Sequence, residues 1–129
     1  MPPKRTPRQP GPEDRIRAEH MLALASEAIA QFETVTEQEF LARRLYQTSL
    51  AWYLQGIGEA AARVSEPSRN LIPGIPWNQV VGTRHIISHE YDRLRPDKFW
   101  KVLQVHLPLM VTHLREGIHL LPAKPTLPE

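Results

Sequence analysis

Apolar side chains recur along this chain with the spacing of a helix, and its prolines and glycines say where each helix has to stop. Ile16, Met21, Leu24, Ala25, Ala28, Ile29 and Phe32 follow the interval pattern of one buried helical face. Their helix should begin near Pro12, after Gly11, since proline is tolerated at the first helical position and Glu13 and Asp14 complement the dipole. Thr34 and Val35 break the pattern. Thr36-Glu37-Gln38-Glu39 then reads as a capping box, with Thr36 as the cap and Glu39 reaching back. A second helix should run from about Glu37 to Val64, anchored by Phe40, Leu41, Leu45, Leu50, Leu54, Ile57, Ala61 and Val64. Gly56 and Gly58 weaken its middle by roughly 1 kcal/mol each relative to alanine. Glycines in such a place usually mean that another backbone passes close.

Pro67, Pro73, Gly74 and Pro76 make residues 66–76 a loop. A third helix should start at about Trp77 and reach Asp92 or Arg93, because Arg95, preceding Pro96, is pushed out of helical geometry. Asp97 can cap a fourth helix with Phe99, Val102, Leu103, Leu107, Met110, Val111 and Leu114 on a broad apolar face. Pro108 removes one backbone hydrogen bond from it and should kink it. Four helical segments with no strand pattern predict an all-α, up-and-down bundle. A chain of 129 residues fits one domain with a modest core. That domain should occupy residues 12–117. Residues 1–11 carry four prolines, three cations and no apolar side chain beyond Met1, which predicts a disordered arm, read first as a solubilising tail and second as a weak nucleic-acid-binding arm. Residues 118–129 have only Ile118, Leu120 and Leu121 to bury and should be a loosely attached tail.

Composition closes off several functions. There is no cysteine, hence no disulfide scaffold and no thiolate metal site. No run of eighteen apolar residues exists to span a membrane. The basic N-terminus has no apolar stretch behind it, so it does not read as a secretory signal, and the cytoplasm is the default location. Lys4, Arg5 and Arg8 precede the first acid; without them the chain holds thirteen basic and fourteen acidic residues. Bulk charge therefore does not attract nucleic acid. An RNA would need a local patch, and the best candidate is Arg84, Arg93, Arg95, Lys98 and Lys101, diluted by Glu90, Asp92 and Asp97.

The chemistry is concentrated between Thr83 and Tyr91, which holds an arginine, two histidines and a tyrosine. On a helix, Arg84, Ser88 and Tyr91 fall within roughly 40° of one another. His85 and His89 form an i,i+4 pair on another face. Ile86 and Ile87 should serve the core. Three uses of the cluster are open. It can be a buried polar network with Arg84 paired to an acid. His85 and His89 can be two metal ligands; against this, the glutamate of an H-E-x-x-H site is replaced by Ile86, and no third ligand is obvious among His106, His113 and His119. Or the cluster can cleave a phosphodiester, with histidine moving protons and arginine holding charge. Glu59 reads as a solvated or locally paired acid.

Arg84-x4-His89-x-Tyr91 resembles the R-x4-H-x-Y signature of HepT-like toxins of the HEPN superfamily. Ile57-Gly58-Glu59-Ala60-Ala61 is similar to that family's IGEAA box, and Ile75-Pro76-Trp77 to its IPW box just before the motif helix. The likeness runs from about Arg15 to Gly117; Gly56 departs from it, a larger apolar residue being usual there. The resemblance implies a metal-independent endoribonuclease with Arg84 and His89 catalytic, His85 supporting them, and no cofactor. It implies a homodimer, an RNA substrate and a partner nucleotidyltransferase antitoxin of the MntA type that modifies Tyr91 with AMP. Arg93, Arg95, Lys98 and Lys101 are then candidate contacts to the RNA backbone. Some HEPN domains are instead non-catalytic binding or scaffold partners of a nucleotidyltransferase, which is the alternative that the resemblance leaves open.

Overall fold

The structure, a computed structural model, describes residues 9–90 and 95–123, and the side chains of 88–90 are outside the description. Its helices are α1 (Asp14–Gln31), α2 (Glu37–Ala42), α3 (Arg44–Ala62), α4 (Glu66–Leu71), α5 (Trp77–Glu90), α6 (Pro96–Lys101) and α7 (Leu107–Gly117). A π-helical stretch, Val102–His106, joins α6 to α7, and a 3-10 turn, Ile118–Leu120, follows α7. The described residues include no strand, so the all-α bundle predicted from periodicity is what forms. No helix among them is long and apolar enough to cross a membrane.

Helix α3 is the centre of the packing, with α1 on one flank and α5 on another, while α7 closes over α1. The interior is built from small and aliphatic side chains at helical spacing. Ala18, Met21, Ala25 and Ala28 of α1 are fully buried, as are Leu50 and Ala61 of α3 and Leu114 of α7. Alanines on α1 let the α3 and α7 axes approach it closely, and burying a leucine or methionine contributes about 1.5–3 kcal/mol each. Helix α5 packs on α3 and makes no comparable contact with another helix among the described residues.

The expected second helix is two helices. Arg43 is extended, with φ −121° and ψ 111°, although neither proline nor glycine marks the break. The change of direction buries Phe40, whose ring meets Phe32 edge-on at 5.7 Å and Trp100 at 5.4 Å. Gln47 Nε2 donates to the carbonyls of Phe40 and Leu41 at 3.1 and 3.3 Å, satisfying acceptors that a helix end leaves without partners. The break also carries Leu41 and Leu45, expected as core anchors, to 40% and 75% exposure. Of the capping box, the Thr36 half forms, with Thr36 Oγ1 accepting from the Glu39 amide at 3.2 Å.

Within 66–76, expected to be loop throughout, α4 forms one short helix with Pro67 in its first turn. Asp14, expected to serve the dipole of α1, is buried instead and ties α1 to α4. Its carboxylate accepts from the Gly11 amide at 2.7 Å, the Ser65 amide at 3.2 Å and Ser68 Oγ at 2.7 Å, and it also accepts from Ser65 Oγ. Burial pushes this carboxyl up, but the hydrogen bonds from Ser65, Ser68 and Gly11 outweigh it and hold the pKa below the ordinary value.

Arg95 rather than Asp97 occupies the N-cap position of α6, without a side-chain cap; Pro96 takes the first helical position, and Asp97 pairs with the Arg95 guanidinium at 2.9 Å. The irregularity expected at Pro108 is the π-helical stretch just before it, where the Leu107 amide reaches back five residues to the Val102 carbonyl. A widened turn of this kind accommodates a helix position that has lost its donor. Of the tail, Leu121 is buried and the His119 carbonyl accepts from Arg15 at 2.8 Å. The arm's residues 1–8 and the tail from 124 onward lie outside the described residues, and Gly11, assigned to the arm, is bound to Asp14.

Candidate active site

The site helix α5 is set in place from its first residue. Arg69 of α4 donates from Nε to the Val64 carbonyl at 2.9 Å and from a terminal nitrogen to the Ala61 carbonyl at 3.1 Å. It thereby caps the C-terminal end of α3, and its guanidinium lies 5.8 Å from the centre of the Trp77 ring. Trp77 returns the contact: its indole N–H is shared between the carbonyls of Arg69 and Ile72 at 3.1 and 3.0 Å. Trp77 and Ile75 are buried, so the Ile75-Pro76-Trp77 box is the hinge from which α5 starts back, antiparallel to α3.

Ten ångströms along, roughly, by the rise of a helix, Gly58 meets Arg84. A Cβ on Gly58 would stand 2.6 Å from Arg84 Cβ and 3.1 Å from the Val80 carbonyl oxygen. The glycine is thus the reason that the Arg84 backbone lies directly against α3. Ile57, Gly58, Ala60 and Ala61 are all buried, while Glu59 is exposed. Within the IGEAA box, Gly58 is the position that lies against α5, and the acid faces water. Gly56 is different: its nearest obstacle is the end of the Leu24 side chain at 2.9 Å, which can swing aside.

Arg84 is partly buried, and its Nε is a buried donor with no acceptor among the described residues. A guanidinium N–H held in this way is a strong charge-assisted donor still to be satisfied. His85, next in the chain, is exposed. Ile87 goes to the core as expected, but Ile86 is 41% exposed, because one turn of α5 has only one side against α3. His89 stands in the last turn of α5, with its side chain outside the description. Tyr91 and Arg93 lie outside the described residues. Arg95, Lys98 and Lys101 are exposed on α6 or at its start, with Arg95 held by Asp97. Among the described residues, α6 packs chiefly on α2 and α3. His106 and His113 belong to the α6–α7 region, where His113 sits against Gly74, and His119 follows α7.

A groove of about 440 Å³ opens between α5 and α7, floored by Leu54 and Ile57 and edged by Gln79, Thr83, His106 and His113. It lies on the flank of α5 away from His85 and is not lined by Arg84. The Arg69–Trp77 clamp had no mark in the sequence beyond the IPW box itself, since a lone arginine in a proline-rich loop carries no periodic signal.

With this geometry in hand, comparison with known proteins is decisive. Residues 22–116 match the family described as Ribonuclease HepT-like. The chain belongs to that family. The match spans α3, the Arg69–Trp77 clamp and the whole of α5, and Gly58 of the IGEAA box and Trp77 of the IPW box are contacts that mount that helix. Among relatives, a Methanocaldococcus jannaschii protein named "Putative RNase MJ1380" is 26% identical over 88 residues, covering 68% of this chain and 81% of the relative. A Thermococcus cleftensis protein named "Probable ribonuclease HepT" is 27% identical over 88 residues, covering 67% and 80%. No solved structure gives a significant match.

Proposed function

We propose that this HepT-like chain is an endoribonuclease of the HEPN type that cleaves RNA without a metal ion, as the toxin of a toxin–antitoxin pair. The observation that carries the reading is the family match over residues 22–116, which includes Arg84-x4-His89 on one helix. Arg84 supports it, a permanent cation whose place on α5 is fixed by the contact with Gly58.

In this reading His89 removes the proton from a ribose 2′-hydroxyl, and the 2′-oxygen attacks the neighbouring phosphorus. Arg84 stabilises the charge that collects on the non-bridging oxygens. The bond to the 5′-oxygen breaks, that oxygen takes a proton, and the products are a 2′,3′-cyclic phosphate and a 5′-hydroxyl. Histidine suits both proton transfers because its unperturbed pKa is about 6.5. One imidazole cannot be base and acid in the same instant. A homodimer with the motif helices facing across a two-fold axis supplies the second His89 and Arg84.

Tyr91 is the residue at which a partner nucleotidyltransferase of the MntA type adds AMP. Each nucleotide brings an anionic phosphodiester to the mouth of the site, where it competes with RNA for Arg84. Arg93, Arg95, Lys98 and Lys101 are outer contacts to the RNA backbone, with Arg95 obliged to leave Asp97 before it can serve.

The test is RNA cleavage by wild type beside three variants. His89→Ala and Arg84→Ala should each lose activity by a factor on the order of 10² or more, and His85→Ala should lose less. A wild type that binds its partner but cleaves no RNA would reject the nuclease reading and leave a scaffold.

A further inference from the structure

Trp52 of α3 is 64% exposed, whereas Trp77 is 7% exposed and Trp100 packs against Phe40. The exposed ring is nevertheless braced. It meets Tyr53 edge to face, with centroids 5.2 Å apart and planes at 81°. The Tyr53 hydroxyl donates to Gln31 Oε1 at 2.6 Å, and Gln31 Nε2 donates to Ser49 Oγ at 3.0 Å. An indole is thus propped by a ring that is itself tied to α1, and an edge-to-face contact leaves at least one indole face open to water.

Its place relative to α5 follows from printed contacts and helix geometry. The start of α5 is fixed at the end of α3 by Arg69 and Trp77, and Gly58 lies against Arg84. Continuing along the antiparallel pair at about 1.5 Å per residue, Trp52 comes level with the last turn of α5, where His89 stands. At about 100° per residue, with Gly58 facing α5, Leu54 and Ile57 turn toward the groove, while Trp52 turns to the opposite flank, the one to which His85 turns. The stretch from Arg43 to Gly58 holds two arginines and no acid; Arg43 lies over the Tyr46 ring at 5.6 Å. Glu59, the first acid along α3, comes two turns beyond Trp52. A braced, open aromatic ring on a stretch of helix that holds cations and no acid is what a single-stranded nucleic acid binds: phosphates take the charge and a base takes the ring.

We propose that Trp52 is a base-stacking platform, on which a nucleobase of the RNA rests so that the adjoining phosphodiester is set at the end of α5. This rests on the ribonuclease reading above and makes Trp52 a positioning residue, with no part in bond breaking.

Steady-state cleavage by the full chain tests it, on a short single-stranded RNA and on the same RNA with an abasic ribose beside the mapped cleavage site. Trp52→Ala should raise KM about tenfold with kcat within about threefold, the loss of one stacked base. Trp52→Phe should recover most of that, and wild type and Trp52→Ala should be alike on the abasic RNA. An unchanged KM overturns the platform, and so does an equal loss on abasic RNA. So does dissociation of Trp52→Ala in the ultracentrifuge, which would assign the ring to contact with a second copy. If wild type cleaves no RNA at all, the nuclease reading fails first; if wild type cleaves and Trp52→Ala matches it, the platform alone fails.

Discussion

Gly58 and Gly56 lie two residues apart in α3, and only Gly58 is required by what surrounds it. At Gly58 the space a methyl would need is already occupied by Arg84 Cβ and the Val80 carbonyl, and neither can move without shifting α5. Gly58→Ala should therefore cost about 1–3 kcal/mol of stability, the usual penalty of overpacking, and should lower RNA cleavage beyond what the stability loss explains. At Gly56 the obstacle is one Leu24 methyl at the end of a flexible side chain. Gly56→Ala should be neutral or stabilising by up to about 1 kcal/mol, because alanine is the better helix former. Urea denaturation of the two variants beside wild type checks both signs. That a backbone passes close to this region was legible in the sequence, since glycines in mid-helix suggest it. Which of the two glycines faces the motif helix was not, because that depends on the rotation of α3 about its axis.

The same limit governs the helices as units. Apolar spacing located α1, α3 and α7, α5 was bounded by the proline-rich loop before it and the Pro96 stop after it, and these and the Thr36 cap were local signals with local causes. The break at Arg43 left no mark, because Phe40 packs between Phe32 and a ring distant in the chain, Trp100. Leu41 and Leu45 were misplaced for that reason. Asp14 is a second case: a first-turn acid looks like a dipole partner until Ser65 and Ser68 are seen above it. Its folded pKa lies below its unfolded value, so its stabilisation is fully present above the unfolded carboxyl pKa of about 4 and is lost as pH falls through the folded one. Asp14→Asn should be less stable than wild type at pH 7 by about 2 kcal/mol, the loss of charged acceptors for four donors. The gap should narrow in acid. Urea midpoints measured from pH 7 downward test this, and a gap that stays constant would contradict it.

At the scale of the whole molecule, α5 is an edge helix among the described residues, held on α3, with exposed side chains on its far side. In the proposed assembly that side meets the α5 of a second copy, so sedimentation at micromolar concentration should show at least a dimer; a strict monomer that still cleaves RNA would exclude the shared site. Co-expression with a cognate nucleotidyltransferase should add one or a few AMP units to Tyr91, read by mass spectrometry, and Tyr91→Phe should cleave RNA yet escape silencing. AMP on another residue, or full activity after Tyr91 is modified, would reject the switch. The motif itself was legible as a cluster of residue types, while the clamp of Arg69 on Trp77 and the exposed ring of Trp52 were not, since both depend on which helices become neighbours. The most direct measurement is the chemistry of the cut ends. RNA incubated with purified wild type in excess chelator should yield 2′,3′-cyclic phosphate and 5′-hydroxyl ends that His89→Ala does not produce. Cleavage that stops in chelator and returns with a divalent metal, or 5′-phosphate products, would contradict the mechanism.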